Sequence, residues 1–335
     1  MVNQVAISLN KRDEAFDIIK GFCILLMIVG HCPINEILGN VIYSFHMPFF
    51  FFIAGFFFRQ YGLRRAAITG IRRLLVPFAF VFLFCIAVAH IFEAFECFSN
   101  VITSRVDYNN PINNILLMGP GFPVWFLIAL FWCKIFFIPI RKIKNDVVVF
   151  IIVFFVAIIA ANLHDYIKLP LVFFPSLSAL GFFAVGRFLA IQNFYYNEKI
   201  WTILPLLLAS WIICLSTGKQ LHIVYCEYGG FYILDILGAL GVFVSLYFIV
   251  KNCTTKAVLW SFFKWCGVNS LIVLCVHTIE FNFVDFDAVK RKLLPFFLPY
   301  ELYVLIALRL IFDLSIAYVL TKSKVVKRYI FFQND

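Results

Sequence analysis

Apolar runs of membrane-spanning length follow one another from end to end of this chain, and they limit the fold more than any other feature. Hydrocarbon offers no water to an open backbone, so each run must satisfy its own N–H and C=O groups as a helix. About 20 apolar residues cover the bilayer core. Ten segments reach that length, at about 16–37, 40–58, 74–97, 122–140, 147–163, 171–191, 200–216, 228–250, 265–284 and 299–320. The expected fold class is all-α: a polytopic membrane helical bundle of about ten transmembrane helices. Hydrophobic residues form 63% of the chain and charged residues 14%, with 44 Phe. Soluble domains run at about 45–50% apolar and about 25% charged. Disorder, a collagen-like repeat and a small secreted module are all excluded.

Charge sets the expected orientation. The net charge is +10, and eighteen of the 28 Lys+Arg fall in one alternating set of loops against six in the other. The richer set includes Arg59, Arg64, Arg65, Arg72 and Arg73 in a single loop. By the positive-inside rule, both termini are expected in the cytoplasm. Lys11 and Arg12 precede the first run as a signal peptide's basic region would. That run holds Lys20 and His31 and lacks a small-residue cleavage site, so it reads as a retained membrane helix. Loops are short, so residues 1–335 read as a single domain with a core at about 12–320 and no appended soluble domain. The longest outside loop, about 98–121, is Asn-rich and is expected to dip over the membrane face. No basic stretch carries a nucleic-acid-reading pattern, so nucleic acid is not an expected partner; basic loops suit anionic lipid headgroups. The ten cysteines form no CxxC pair and no zinc-type spacing, and no disulfide framework is expected.

Polar residues inside apolar spans carry the functional signal, because a charge at mid-bilayer is costly. Lys20 and His31 share the first span. Eleven steps of helix are close to three turns, which puts both on one face ~16 Å apart. Two readings stay open for each: a snorkelling or a functional lysine, a packing or a functional histidine. His46 and His277 sit at depths comparable to His31 in two other spans. A three-histidine metal site is the alternative to proton handling. No carboxylate–histidine pairing supports it in the sequence, and no metal is expected. His90, His164 and His222 are not singled out. Arg309 and Asp313 are four residues apart, which reads as a local ion pair. The run Phe49–Phe52 reads as lipid-facing or packing surface. The arginines of the first basic loop either hold phosphate groups, as bidentate donors do, or serve topology and lipid contact.

Several motifs resemble the acyltransferase-3 family of integral membrane O-acyltransferases. Lys20 and His31 match its first-span pattern of Arg or Lys, ten residues, then His. The stretch from Phe45 through His46 to Phe50, with Gly55, resembles its second-span motif. Arg72-Arg73 with Pro77-Phe78 resembles its basic loop entering the third span, and Val124-Trp125-Phe126-Leu127 its fourth-span motif. Gly267-Val268-Asn269-Ser270-Leu271 followed by His277 resembles a late motif. The order and placement of these motifs cover about residues 12–320.

The resemblance implies transfer of an acyl group, usually acetyl, from cytoplasmic acyl-CoA to a hydroxyl. The acceptor is most often a sugar of a bacterial surface polysaccharide or its lipid-linked precursor. It implies His31 as general base or transient acyl carrier, with Lys20, His46 and His277 as further catalytic residues. Asp17, one turn from Lys20, is placed to hold its ammonium. Arg64, Arg65, Arg72 and Arg73, with Lys20, are candidates for the CoA phosphates. Trp125, Asn269, Glu36 and Asp235 are candidates for binding the acceptor; Trp125 is equally suited to an interfacial aromatic belt. The expected location is the bacterial inner (plasma) membrane. A transporter or flippase of a glycan intermediate is the competing class, but the chain shows neither an inverted repeat nor paired broken helices.

Overall fold

The computed structural model describes residues 13–59, 62–95, 113, 121–167, 169–192, 199–229, 231–252, 258–284 and 300–332. Among these residues the chain is helical and forms no β-strand. The only β-pairing among them is an isolated bridge between His222 and Glu227. The protein is a multi-pass helical membrane bundle. The elements are α1 (Glu14–Gly30), α2 (Glu36–Tyr43), α3 (His46–Phe56), α4 (Leu63–Gly70), α5 (Val76–Phe95), α6 (Trp125–Ile140), α7 (Asp146–Leu163), α8 (Phe173–Ser178) and α9 (Leu180–Ile191). They continue with α10 (Lys199–Ser216), α11 (Tyr232–Asn252), α12 (Val258–Val268), α13 (Ser270–Phe283) and α14 (Glu301–Lys322).

Among the described residues, seven helical segments are long and apolar enough to cross a membrane, and up to eight if α12 and α13, bent by 74°, count as one span. Helix α1, with 17 residues, and α6, with 16, fill two further expected segments but are shorter. All ten expected segments are therefore helical, while length and composition alone support seven or eight spans. The expected re-entrant loop 98–121 lies outside the described residues except at positions 113 and 121.

Local chemistry sets the helix ends. Asp13 caps α1, its carboxylate accepting from the Ala15 N–H at 3.0 Å, and Glu14 and Asp17 add negative charge to the first turn. Asn35 caps α2 by accepting from Leu38 N–H at 2.8 Å. Pro48 sits in the first turn of α3, where a missing N–H costs nothing. Helices α2 and α3 together make one span, interrupted only at 44–45.

Helix α1 is central, packed against α3, α11, α12, α13 and α14. Its crossing with α12 is a backbone contact. A Cβ on Gly267 would stand 1.7 Å from the Asp17 carbonyl oxygen, and one on Gly21 would stand 1.8 Å from the Phe263 carbonyl oxygen. Helices α3 and α9 cross in the same manner, through Gly55 and Gly186. With no hydrophobic drive between helices in lipid, such close approach is what van der Waals packing there requires. Aromatic rings fill the space between these pairs. Phe16 meets Phe56 at 5.0 Å, Phe49 meets Phe243 at 5.4 Å and Phe52 meets Phe182 at 5.7 Å between centroids. Phe49, Phe51 and Phe52 are buried, so most of that run packs against protein rather than lipid.

Gly267→Ala is expected to destabilise the protein by about 1–3 kcal/mol, the usual cost of overpacking. Gly62→Ala, with nothing within 4 Å of the added carbon, should change stability by less than about 0.5 kcal/mol. Thermal melts in nanodiscs compare the two.

Candidate active site

A cavity of about 500 Å³ runs along one face of α1, lined by Lys20, Ile24, Met27 and His31. These positions follow the three- and four-residue steps of a helical face, so the pattern linking Lys20 to His31 becomes one wall. At one end the Lys20 ammonium is 2.7 Å from the carboxylate of the buried Asp17, the partner expected from the sequence. Trp125 and Phe126 at the start of α6 line the cavity, and so do Ser270, Leu271 and Leu274 of α13. The bend before α13 aims that helix at the far end, where His277 meets His31. Asn269 stands at this bend and donates to the Trp265 carbonyl at 2.9 Å.

At that far end the imidazoles are coupled. His31 Nδ1 lies 2.9 Å from His277 Nε2. The other nitrogen of His277, Nδ1, is 2.8 Å from Asp313 Oδ2 and 3.0 Å from Glu280 Oε2. Arg309 donates through Nε to Glu280 Oε1 and through Nη2 to Glu280 Oε2, each at 3.0 Å. Its Nη1 donates to the His31 carbonyl at 2.7 Å. His277 and Asp313 are 0% exposed, Glu280 2% and Arg309 4%.

This geometry assigns the hydrogens. Carboxylates accept, so His277 Nδ1 carries the proton and Nε2 is its lone-pair nitrogen. His31 then donates from Nδ1, which makes His31 Nε2 the basic nitrogen of a residue that lines the cavity. When both carboxyls are ionised, two negative charges face one guanidinium. The remaining negative charge stabilises an imidazolium formed when His31 takes a proton. This is the orienting logic of an acid–histidine dyad, extended by one imidazole.

The sequence candidates divide. Lys20, His31, His46 and Trp125 line the cavity, and His277 lies directly behind His31. His46 does not join the His31–His277 pair through Nδ1, which donates to the Ile42 carbonyl at 2.7 Å. A three-histidine cluster is therefore replaced by a mixed group of His277, Glu280 and Asp313, with ligand-type atoms within 4.8 Å of one another. Arg309 already supplies that group with a cation. Arg309 and Asp313 are more than a local pair: each engages a different residue of α13. Glu36 is exposed in the first turn of α2, and Asp235 is buried in the first turn of α11. Neither of these, nor Asn269, lines the cavity. Arg64, Arg65, Arg72 and Arg73 are exposed on α4 and the π-helical turn Ile71–Leu75. Arg73 adjoins Leu74, which lines the cavity. Glu280 was missed by the sequence reading. Its signal was available: a carboxylate within an apolar span, three residues after His277 and so on the same helical face.

The comparisons with known proteins fit this geometry. The acyltransferase domain of the acyltransferase-3 type matches residues 13–321. The chain belongs to the acyltransferase-3 family. The matched stretch takes in Lys20, His31, His277, Glu280, Arg309 and Asp313. The chain is also similar to the nodulation protein NolL of Sinorhizobium fredii (strain NBRC 101917 / NGR234), 30% identical over 138 residues. That match covers 36% of this chain and 36% of NolL, about a third of the relative's length. No solved structure matches the chain.

Asp313→Asn keeps the shape of the relay and removes its charge. Acyl transfer is expected to fall by about 10²-fold or more, the weight of general acid–base catalysis, as read by single-turnover kinetics. Arg309→Met leaves the Glu280 charge buried without its cation, and should cost about 3–5 kcal/mol, visible as a lowered melting temperature.

Proposed function

We propose that the protein moves an acetyl group from cytoplasmic acetyl-CoA to a sugar hydroxyl of a surface polysaccharide or its lipid-linked precursor, in the inner membrane of a bacterium. The observation that carries this reading is one continuous cavity with a cation at one end and a relay-backed imidazole at the other. Acetyl-CoA is anionic at its nucleotide and neutral at its thioester. Lys20 suits the anionic end, with Arg73 next to the cavity-lining Leu74 as a further candidate, the apolar middle of the cavity suits the pantetheine arm, and His31 suits the thioester.

The reaction balances as follows. His31 Nε2 takes the proton of the acceptor hydroxyl as the oxygen attacks the thioester carbonyl. The carbon–sulfur bond breaks, and the protonated imidazole returns its proton to the departing thiolate. His277, Asp313 and Glu280 hold the imidazolium that exists between those two steps. An imidazole's ordinary affinity for protons suits this exchange at neutral pH. Trp125 offers an indole face to a sugar ring in the cavity.

Purified protein in nanodiscs is given radiolabelled acetyl-CoA, and CoA release is followed with and without a pool of lipid-linked oligosaccharide. Release and labelling of the glycan are expected for the native protein and not for His31→Ala. Near-normal turnover by His31→Ala would sink the catalytic role. Replacing Arg72 and Arg73 together by Ala should raise the KM for acetyl-CoA about tenfold, the loss of a charged hydrogen bond or two. An unchanged KM would remove these arginines from the donor site.

A further inference from the structure

The His31 end of the cavity is closed by the segment between α10 and α11. Leu221, His222, Ile223, Val224 and Tyr225 all line it, held by the His222–Glu227 bridge. Here three polar side chains gather: Tyr43 from α2, His46 from α3 and His222 from the loop. The Tyr43 ring lies 5.1 Å from the His46 ring and 4.7 Å from the His222 ring.

Each of the three has already given its hydrogen to the protein. Tyr43 Oη donates to the Gly30 carbonyl at 3.0 Å. His46 Nδ1 donates to the Ile42 carbonyl at 2.7 Å. His222 Nε2 donates to Gln220 Oε1 at 2.8 Å. What remains on each is a lone pair: Tyr43 Oη, His46 Nε2 and His222 Nδ1. Burial pushes the His222 imidazole below its ordinary proton affinity, against the opposing pull of the Glu227 carboxylate. Among the described residues the cavity has one Lys or Arg in its lining, Lys20, which belongs to the opposite end.

Three lone pairs, with no cation beside them among the described residues, define what fits. A ligand here must bring hydrogen-bond donors, and it gains nothing from negative charge, since a carboxylate or phosphate would face lone pairs in an apolar space. Hydroxyl groups on an aromatic-walled ring meet both demands. We propose that Tyr43, His46 and His222 form the acceptor subsite, and that it selects an uncharged, hydroxyl-rich ring over an anionic one. This rests on the acyl-transfer reading above and specifies its acceptor. His222 is the specificity-determining residue, because it belongs to a loop and can change charge without disturbing a span.

The test offers labelled acetyl-CoA with methyl glycosides of glucose, galactose, fucose and N-acetylglucosamine, and with methyl glucuronide and methyl galacturonide. Label is expected in at least one neutral glycoside, with glucose or galactose favoured over its own uronide by about tenfold or more. His222→Lys should narrow that ratio about tenfold by giving the carboxylate a partner. His222→Ala should raise the KM for the glycoside about tenfold, and His222→Asn, which keeps an acceptor oxygen, should restore most of it. Uronides labelled as well as their neutral counterparts overturn the proposal, as does a ratio unmoved by His222→Lys. Transfer to none of the glycosides by a protein that still releases CoA also overturns it. A native protein that releases no CoA under any condition fails at the donor, and so overturns the acyl-transfer reading itself.

Discussion

A guanidinium, two carboxylates and two imidazoles share the space between α1, α13 and α14, four of the five closed off from solvent. Each would be costly there alone. Together they pair with one another, with only Asp313 Oδ1 lacking a hydrogen bond among the described residues: Arg309 holds Glu280 with two bonds, His277 takes Asp313 and Glu280 on one nitrogen and His31 on the other. The third arm of Arg309 reaches the carbonyl of His31. That carbonyl ends α1, where the helix dipole is negative. The same network therefore fixes the reactive ring from behind and the backbone beneath it. The geometry of the site and the joining of three helices are one set of interactions.

Much of this was legible in the sequence, and the boundary has a physical cause. Helical phase is local, so a face shared by Lys20 and His31 could be read from spacing alone, and the cavity wall follows it. A polar group inside an apolar run signals a purpose, which singled out His46 and His277, while Arg309 and Asp313 read only as a pair with each other. Choice of partner is not local. Arg309 and Asp313 are adjacent on α14, but the bend at Asn269 brings α13 alongside and gives each a partner there. The same bend places Asn269, whose side-chain amide donates back to the Trp265 carbonyl of α12. Glu36 and Asp235 were singled out for charge, but both occupy first turns, where acidic residues serve a helix without any ligand. His222 was passed over because its loop has no periodicity to announce which way it folds.

Two glycine crossings hold the frame in which these contacts form. Gly21 lies beside Lys20 in sequence, so the point where α1 touches the backbone of α12 is also the point where its cation projects. At the other end the Arg309 contact pins the final carbonyl. Between these two anchors α1 is an uninterrupted helix.

A helix pinned at both ends works as a ruler with coarse graduations. One residue more or fewer between Lys20 and His31 would shift the separation by only about 1.5 Å but turn one side chain about 100° away from the cavity. Only insertions or deletions that nearly complete whole turns keep both on the wall. The permitted spans are then about 10 Å for seven steps, about 16 Å for eleven, about 21 Å for fourteen and about 27 Å for eighteen. A wall built this way has no means of adjusting by small increments to a donor of slightly different length. Variation in what the site accepts must come from the opposite wall and from the loop that closes it.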